Sequence, residues 1–70
     1  MKLTRKQLML IEAIKWWWEE HHYGPTYREL AEMLDTSAGT MFERIYRLEK
    51  LGVITTENGK CRSIRVVEDV

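Results

Sequence analysis

The stretch YGPTYRELAEMLDTSAGTMFERIYRLEKLGVI, from Tyr23 to Ile54, most constrains what this chain can fold into. It opens with a helix breaker at Gly24-Pro25. Thr26-Tyr27-Arg28-Glu29 follows at once and has the form of a capping box. In such a box the threonine hydroxyl accepts from the Glu29 N–H, and the glutamate side chain returns to the Thr26 N–H. Tyr27, Leu30, Ala31 and Leu34 then fall on one helical face, with Arg28, Glu29 and Glu32 outside it. Ala31 is small enough to let a crossing helix approach closely. Asp35-Thr36-Ser37 reads as a turn, with Ser37 the N-cap of a longer helix. Met41, Ile45 and Leu48 form that helix's inward row, Leu51 lies beside it, and Gly52 stands where a C′ glycine ends a helix. A short capped helix, a tight turn and a longer helix make a helix-turn-helix.

The flanks supply what such a unit needs to fold. Thr4 is placed to cap a first helix. Leu10, Ile11, Ile14, Trp17 and Trp18 recur at helical spacing as its buried stripe. Met9, Ala13 and Trp16 form a second apolar row on nearly the opposite side. Consecutive tryptophans cannot all enter one small core, so Trp17 and Trp18 are expected inside and Trp16 mostly outside. After Gly52, Val53 to Thr56 reads as a strand. Glu57-Asn58-Gly59-Lys60 is a two-residue hairpin signal, because Asn-Gly supplies both positive φ angles of a type I′ turn. The chain from Cys61 to Val67 returns as the second strand of a wing. The expected fold is mainly α with a small β-hairpin: a three-helix winged helix-turn-helix in one domain, 1–70. Its helices are expected at 5–22, 27–34 and 38–51, and its wing strands at 53–56 and 61–67.

At 70 residues the chain lies near the lower limit for a self-sufficient core. Its 44% hydrophobic content and one proline favour a globular chain over a disordered one. No apolar run approaches the roughly 18 residues that span a bilayer, and Glu12 and Lys15 interrupt any signal-peptide core. A single cysteine, Cys61, allows no internal disulfide and fits a reducing cytoplasm. His21-His22 with a distant Cys61 is no metal-ligand pattern; the two histidines read as solvated polar residues ending a helix. Cys61 lacks a base or helix N-terminus to activate it, and the glycines punctuate separate elements rather than forming a phosphate loop. The expectation is therefore no enzyme, no catalytic residue, no metal, no cofactor, no small-molecule substrate and no membrane.

A DNA-reading head accounts for more of the pattern. The second helix would cross the backbone while the N-terminal half of the third enters the major groove. Short residues at Ala38, Gly39 and Thr40 let that end come close to base edges. The candidate base readers are Ser37, Gly39, Thr40, Phe42, Glu43 and Arg47: hydroxyls to base or phosphate, Phe42 to a thymine methyl, Glu43 to cytosine N4, and Arg47 to guanine or phosphate. The candidate backbone contacts are Lys2, Arg5, Lys6, Thr26, Arg28, Arg44, Lys50, Lys60 and Arg62, the last two at the wing. Arg44, Arg47 and Lys50 are equally what a solvated helix face carries. Charge is the opposing observation, since 11 basic residues balance 11 acidic ones, whereas DNA-binding domains are usually basic. An uncharged sum and the exposed-aromatic candidates Trp16, Phe42 and Tyr46 fit the alternative, a winged-helix protein-interaction module such as an anti-repressor or assembly factor.

At this point the sequence resembles the N-terminal DNA-binding domain of LexA, the SOS-response repressor. The matching residues are Leu3-Thr4, Gln7, Leu10-Ile11, Ile14, Pro25-Thr26, Arg28-Glu29-Leu30-Ala31, Ser37, Leu48, Leu51-Gly52-Val53-Ile54 and Ile64-Arg65. The resemblance implies a winged helix that reads operator DNA and represses transcription, its base-contacting stretch falling on Ser37, Gly39, Thr40, Phe42 and Glu43. Gly39 and Phe42 stand where the family carries polar readers, so the operator should differ. His22 and Gly24 replace the glycine and first proline usual before the second helix. LexA-like repressors carry a C-terminal self-cleaving peptidase domain that dimerises them, whereas this sequence stops at Val70 without a cleavage site or serine-lysine dyad. A fragment, or a small stand-alone regulator of the kind phages and mobile elements encode, is expected, without DNA-damage-induced autocleavage. Met9, Ala13 and Trp16 are the candidate replacement interface for a homodimer through the first helix.

Overall fold

The computed structural model describes residues 3–57 and 62–67. Three helices, α1 (Arg5–His21), α2 (Tyr27–Met33) and α3 (Ala38–Lys50), precede a two-stranded antiparallel hairpin of β1 (Ile54–Thr55) and β2 (Arg65–Val66). The architecture is the mainly helical winged helix-turn-helix read from the sequence. The strands are shorter than 53–56 and 61–67, pairing Ile54 with Val66 and Thr55 with Arg65. One further bond, from the Val67 N–H to the Val53 carbonyl, extends the ladder. Asn58 and Gly59, where the sequence places a hairpin turn, lie outside the described residues with Lys60, Cys61, Lys2 and the last three positions of the chain.

Each helix start is set by a side chain. Thr4 and Gln7 form a reciprocal capping box on α1, and Thr26 and Glu29 form one on α2. Ser37 accepts from the Thr40 N–H at the head of α3. The ends use left-handed residues. At α3 the N–H of Gly52 (φ 84) bonds the Glu49 carbonyl while that of Val53 bonds Leu48, the paired bonds of a Schellman ending. At α2 the same role falls to Asp35 (φ 56), with Asp35 N–H to Glu32 O and Thr36 N–H to Ala31 O. This compact ending brings the chain from the last turn of α2 to the Ser37 cap within a few residues.

One core joins all the elements. Leu10, Ile11, Ala13 and Ile14 of α1 meet Leu30 and Ala31 of α2, Met41, Ile45 and Leu48 of α3, and Ile54 and Ile64 of the wing. Ala13 therefore belongs to the core, which corrects the reading of Met9, Ala13 and Trp16 as one outward row. Of the three, Met9 (52% exposed) and Trp16 (49%) remain on the surface. Leu51 is also corrected: it caps α3 and is exposed, because the helix has already turned toward Gly52. Trp17 and Trp18 are half-buried rather than inside. Trp18 packs on the core edge and donates its indole N–H to the Ile64 carbonyl at 2.8 Å. Trp17 stacks on His21 with ring centroids 4.2 Å apart. Its Nε1 has no acceptor among the described residues, an arrangement that costs about 1–3 kcal/mol. His21 also meets the Trp16 and Tyr23 rings, yet it and His22 are both exposed at the end of α1, as the sequence suggested. No described helix is long and apolar enough to cross a membrane.

His22 ends α1 at φ 63 with its N–H on the Trp18 carbonyl. A residue with a Cβ is strained there, and glycine is not. His22→Gly is expected to raise unfolding stability by about 1 kcal/mol in urea titration. An unchanged or lower midpoint at constant m-value contradicts the assignment of strain to this position.

Candidate nucleic-acid interface

The outer face of α3 follows from its inner one. With Met41, Ile45 and Leu48 buried, the intervening positions must point away from the core. Gly39, Phe42, Glu43, Tyr46, Arg47 and Lys50 are all exposed. Gly39 has open space around the position a Cβ would occupy. Nothing within the fold requires a glycine there, although it weakens a helix by about 1 kcal/mol relative to alanine. Its effect is to leave the first turn of α3 bare. Beside it, the Ser37 hydroxyl donates to Thr40 Oγ1 at 3.0 Å and accepts from the Thr40 N–H. These two polar side chains therefore sit at the positive end of the helix dipole.

Two aromatic contacts fix the rest of the face. Phe42, 56% exposed, meets Tyr27 of α2 with ring centroids 5.3 Å apart, so its ring is braced from behind. Burial first, and then the Glu49 charge, push the Tyr27 phenol up from its ordinary value. The Lys50 ammonium lies over the Tyr46 ring, 5.3 Å from its centroid. Phe42, Glu43, Tyr46 and Arg47 together line a shallow surface depression.

The backbone candidates separate into groups. Arg28 is exposed on α2, and Thr26 spends its oxygen on the cap of that helix. Arg5 is exposed in the first turn of α1; Lys6 and half-buried Arg44 share a groove with Met9, Leu34, Asp35 and Thr36. That groove brings α1 and the helix-turn-helix corner together. Lys2 and Lys60 lie outside the described residues.

Arg62 departs from the sequence reading. Instead of standing at a wing tip, it reaches back to the start of α2. Its two terminal nitrogens meet the two Glu29 oxygens at 2.9 and 3.1 Å, and Nη1 also donates to the Gly24 carbonyl at 3.2 Å. Its guanidinium lies over the Tyr23 ring at 4.7 Å. A bidentate fork on a carboxylate is a strong, oriented contact. Glu29 and Arg62 are 33 residues apart, so no local period announces the pair. The Glu29 carboxyl is held below the ordinary glutamate range, first by the Arg62 hydrogen bonds and further by the Thr26 N–H, against an opposing effect of partial burial.

A carboxyl with a lowered folded pKa stabilises the fold fully above its unfolded value. That contribution is lost as pH falls through the folded value. Stability measured across the acidic range should therefore fall more steeply for the parent than for Glu29→Gln, which keeps the N3 cap and removes the charge. Parallel acid limbs for the two proteins contradict the pairing.

Comparison with known proteins yields two findings. The family model described as the LexA DNA binding domain matches residues 1–63. A LexA repressor from Caldicellulosiruptor saccharolyticus is 38% identical over 69 residues, covering 97% of this chain. The chain spans 34% of that relative's length.

Proposed function

The chain belongs to the LexA DNA-binding-domain family, and on that premise we propose that it is a sequence-specific reader of double-stranded DNA acting as a transcriptional repressor. The observation that carries this reading is the outer face of α3, whose first turn is bare at Gly39 and flanked by the Ser37 and Thr40 hydroxyls. A helix end without bulk can approach base edges in the major groove, where Thr40, Glu43 and Arg47 supply donor and acceptor chemistry. Ser37 and Phe42 complete the reading set. Arg28, from α2, and Lys50, Arg44, Lys6 and Arg5 supply the phosphate contacts, and Thr26 caps α2 beside them; Lys2 and Lys60 are carried over from the sequence and lie outside the described residues. No catalytic step, metal or cofactor enters this function, and its setting is the cytoplasm at the nucleoid.

A second copy of the chain is part of the proposal, since paired half-sites give such modules their specificity. With Ala13 buried, pairing through α1 would rest on Met9 and Trp16, which makes a smaller surface than the sequence suggested. The protein-interaction reading is favoured by one observation, the exposure of Phe42 and Tyr46 on the same helix.

Salt dependence tests the proposal. Binding to duplex DNA should weaken linearly with the logarithm of salt concentration. Arg28→Ala and Lys50→Ala should each reduce the slope by about 0.9, the value for one phosphate contact. Absence of duplex binding at low salt contradicts the proposal and favours the interaction module.

A further inference from the structure

The return strand of the wing is fastened to the helices by side chains rather than by strand pairing, which is confined to a short ladder. The Trp18 indole holds the Ile64 carbonyl. The Arg65 guanidinium lies over the Trp18 ring, 4.7 Å from its centroid. Two residues before Ile64, Arg62 holds Glu29 and the Gly24 carbonyl. At Gly24 the fit is tight: an added Cβ would stand 2.4 Å from the Arg62 carbonyl oxygen and 3.0 Å from the Trp18 ring. The helix-facing end of the wing is therefore seated at the junction of α1 and α2, with the Thr26 cap directly behind Glu29.

We propose that Arg62 is a positioning residue. It sets where the wing stands relative to α2 by gripping Glu29, and duplex affinity depends on it through that grip rather than through a phosphate. The proposal rests on the DNA-reading function and deepens it. Glu29 then has two tasks at one point in the fold: one carboxylate oxygen closes the cap of α2, and both oxygens orient the wing. Because both tasks share a carboxylate, the start of the helix-turn-helix and the seat of the wing move as one body. A wing held in this way meets DNA without first having to be ordered, which lowers the entropic cost of binding.

The test uses Glu29→Gln, Arg62→Lys and their combination. Gln at N3 still serves a capping box, and lysine keeps the charge while losing the bidentate fork, so all three variants should fold. Trp18 reports seating directly, because its indole proton is protected by the Ile64 carbonyl. Both single variants should speed exchange of that proton by about tenfold. Each should also weaken binding to a random-sequence duplex by about tenfold, with the pair no worse than the poorer single change. Their salt slopes should equal the parent's. Parent-like exchange and affinity in Glu29→Gln, with Arg62→Ala flattening the slope by about 0.9, would make Arg62 a phosphate contact and overturn the proposal. A parent that binds no duplex refutes the DNA-reading function instead, and indole exchange alone then upholds or overturns the seating.

Discussion

The structure depends on how a two-residue ladder is kept in place. A hairpin this short is not stable by itself, so Ile54 and Ile64 must enter a core built by helices distant in sequence, and polar side chains must hold the strands there. Trp18 and Arg62 do this at two points just before β2, the Ile64 carbonyl and the Arg62 side chain. The helices depend on the wing in turn, because Ile54 and Ile64 close the side of the core that α1, α2 and α3 leave open. With so few buried residues, loss of one large side chain costs about 2–5 kcal/mol, a substantial part of the stability of a small domain. Core, cap and wing therefore form one cooperative unit.

That economy has a consequence for function. Once Met41, Ile45 and Leu48 are committed to the core, the opposite face of α3 is left exposed, with few packing contacts beyond Phe42 on Tyr27 and Lys50 over Tyr46. Gly39 shows this most clearly, since no described residue occupies the space beside it. Phe42 is the intermediate case, exposed yet braced by Tyr27. An exposed helix face backed by a packed core is the arrangement the proposed reading surface requires.

Local interactions were legible in the sequence, and distant ones were not. The Thr26–Glu29 box, the Ser37 cap, the Gly52 ending and the inward rows of α2 and α3 all lie within a few residues of one another. Their geometry follows from helix periodicity. Ala13 was misplaced because a wide apolar surface on α1 does not reveal which side α2 will cover. Arg62 was misplaced because proximity to a hairpin turn says nothing about a carboxylate 33 residues earlier. The tryptophans fell between these cases. Spacing separated Trp16 from Trp17 and Trp18, but the half-burial of the latter two depends on how far the return strand covers them. The glycine usual in the family where this chain has His22 has a direct explanation, because that backbone is left-handed.

On the proposed function, the outer face of α3 meets DNA and the acidic positions Glu12 and Glu19 of α1 do not. Chemical-shift mapping of the labelled chain titrated with duplex DNA tests it most directly. Perturbed backbone resonances should concentrate at 37–47 and around Arg28, with those of Glu12 and Glu19 unmoved. Perturbations confined to Met9 through Trp16, or none at low salt, would contradict it.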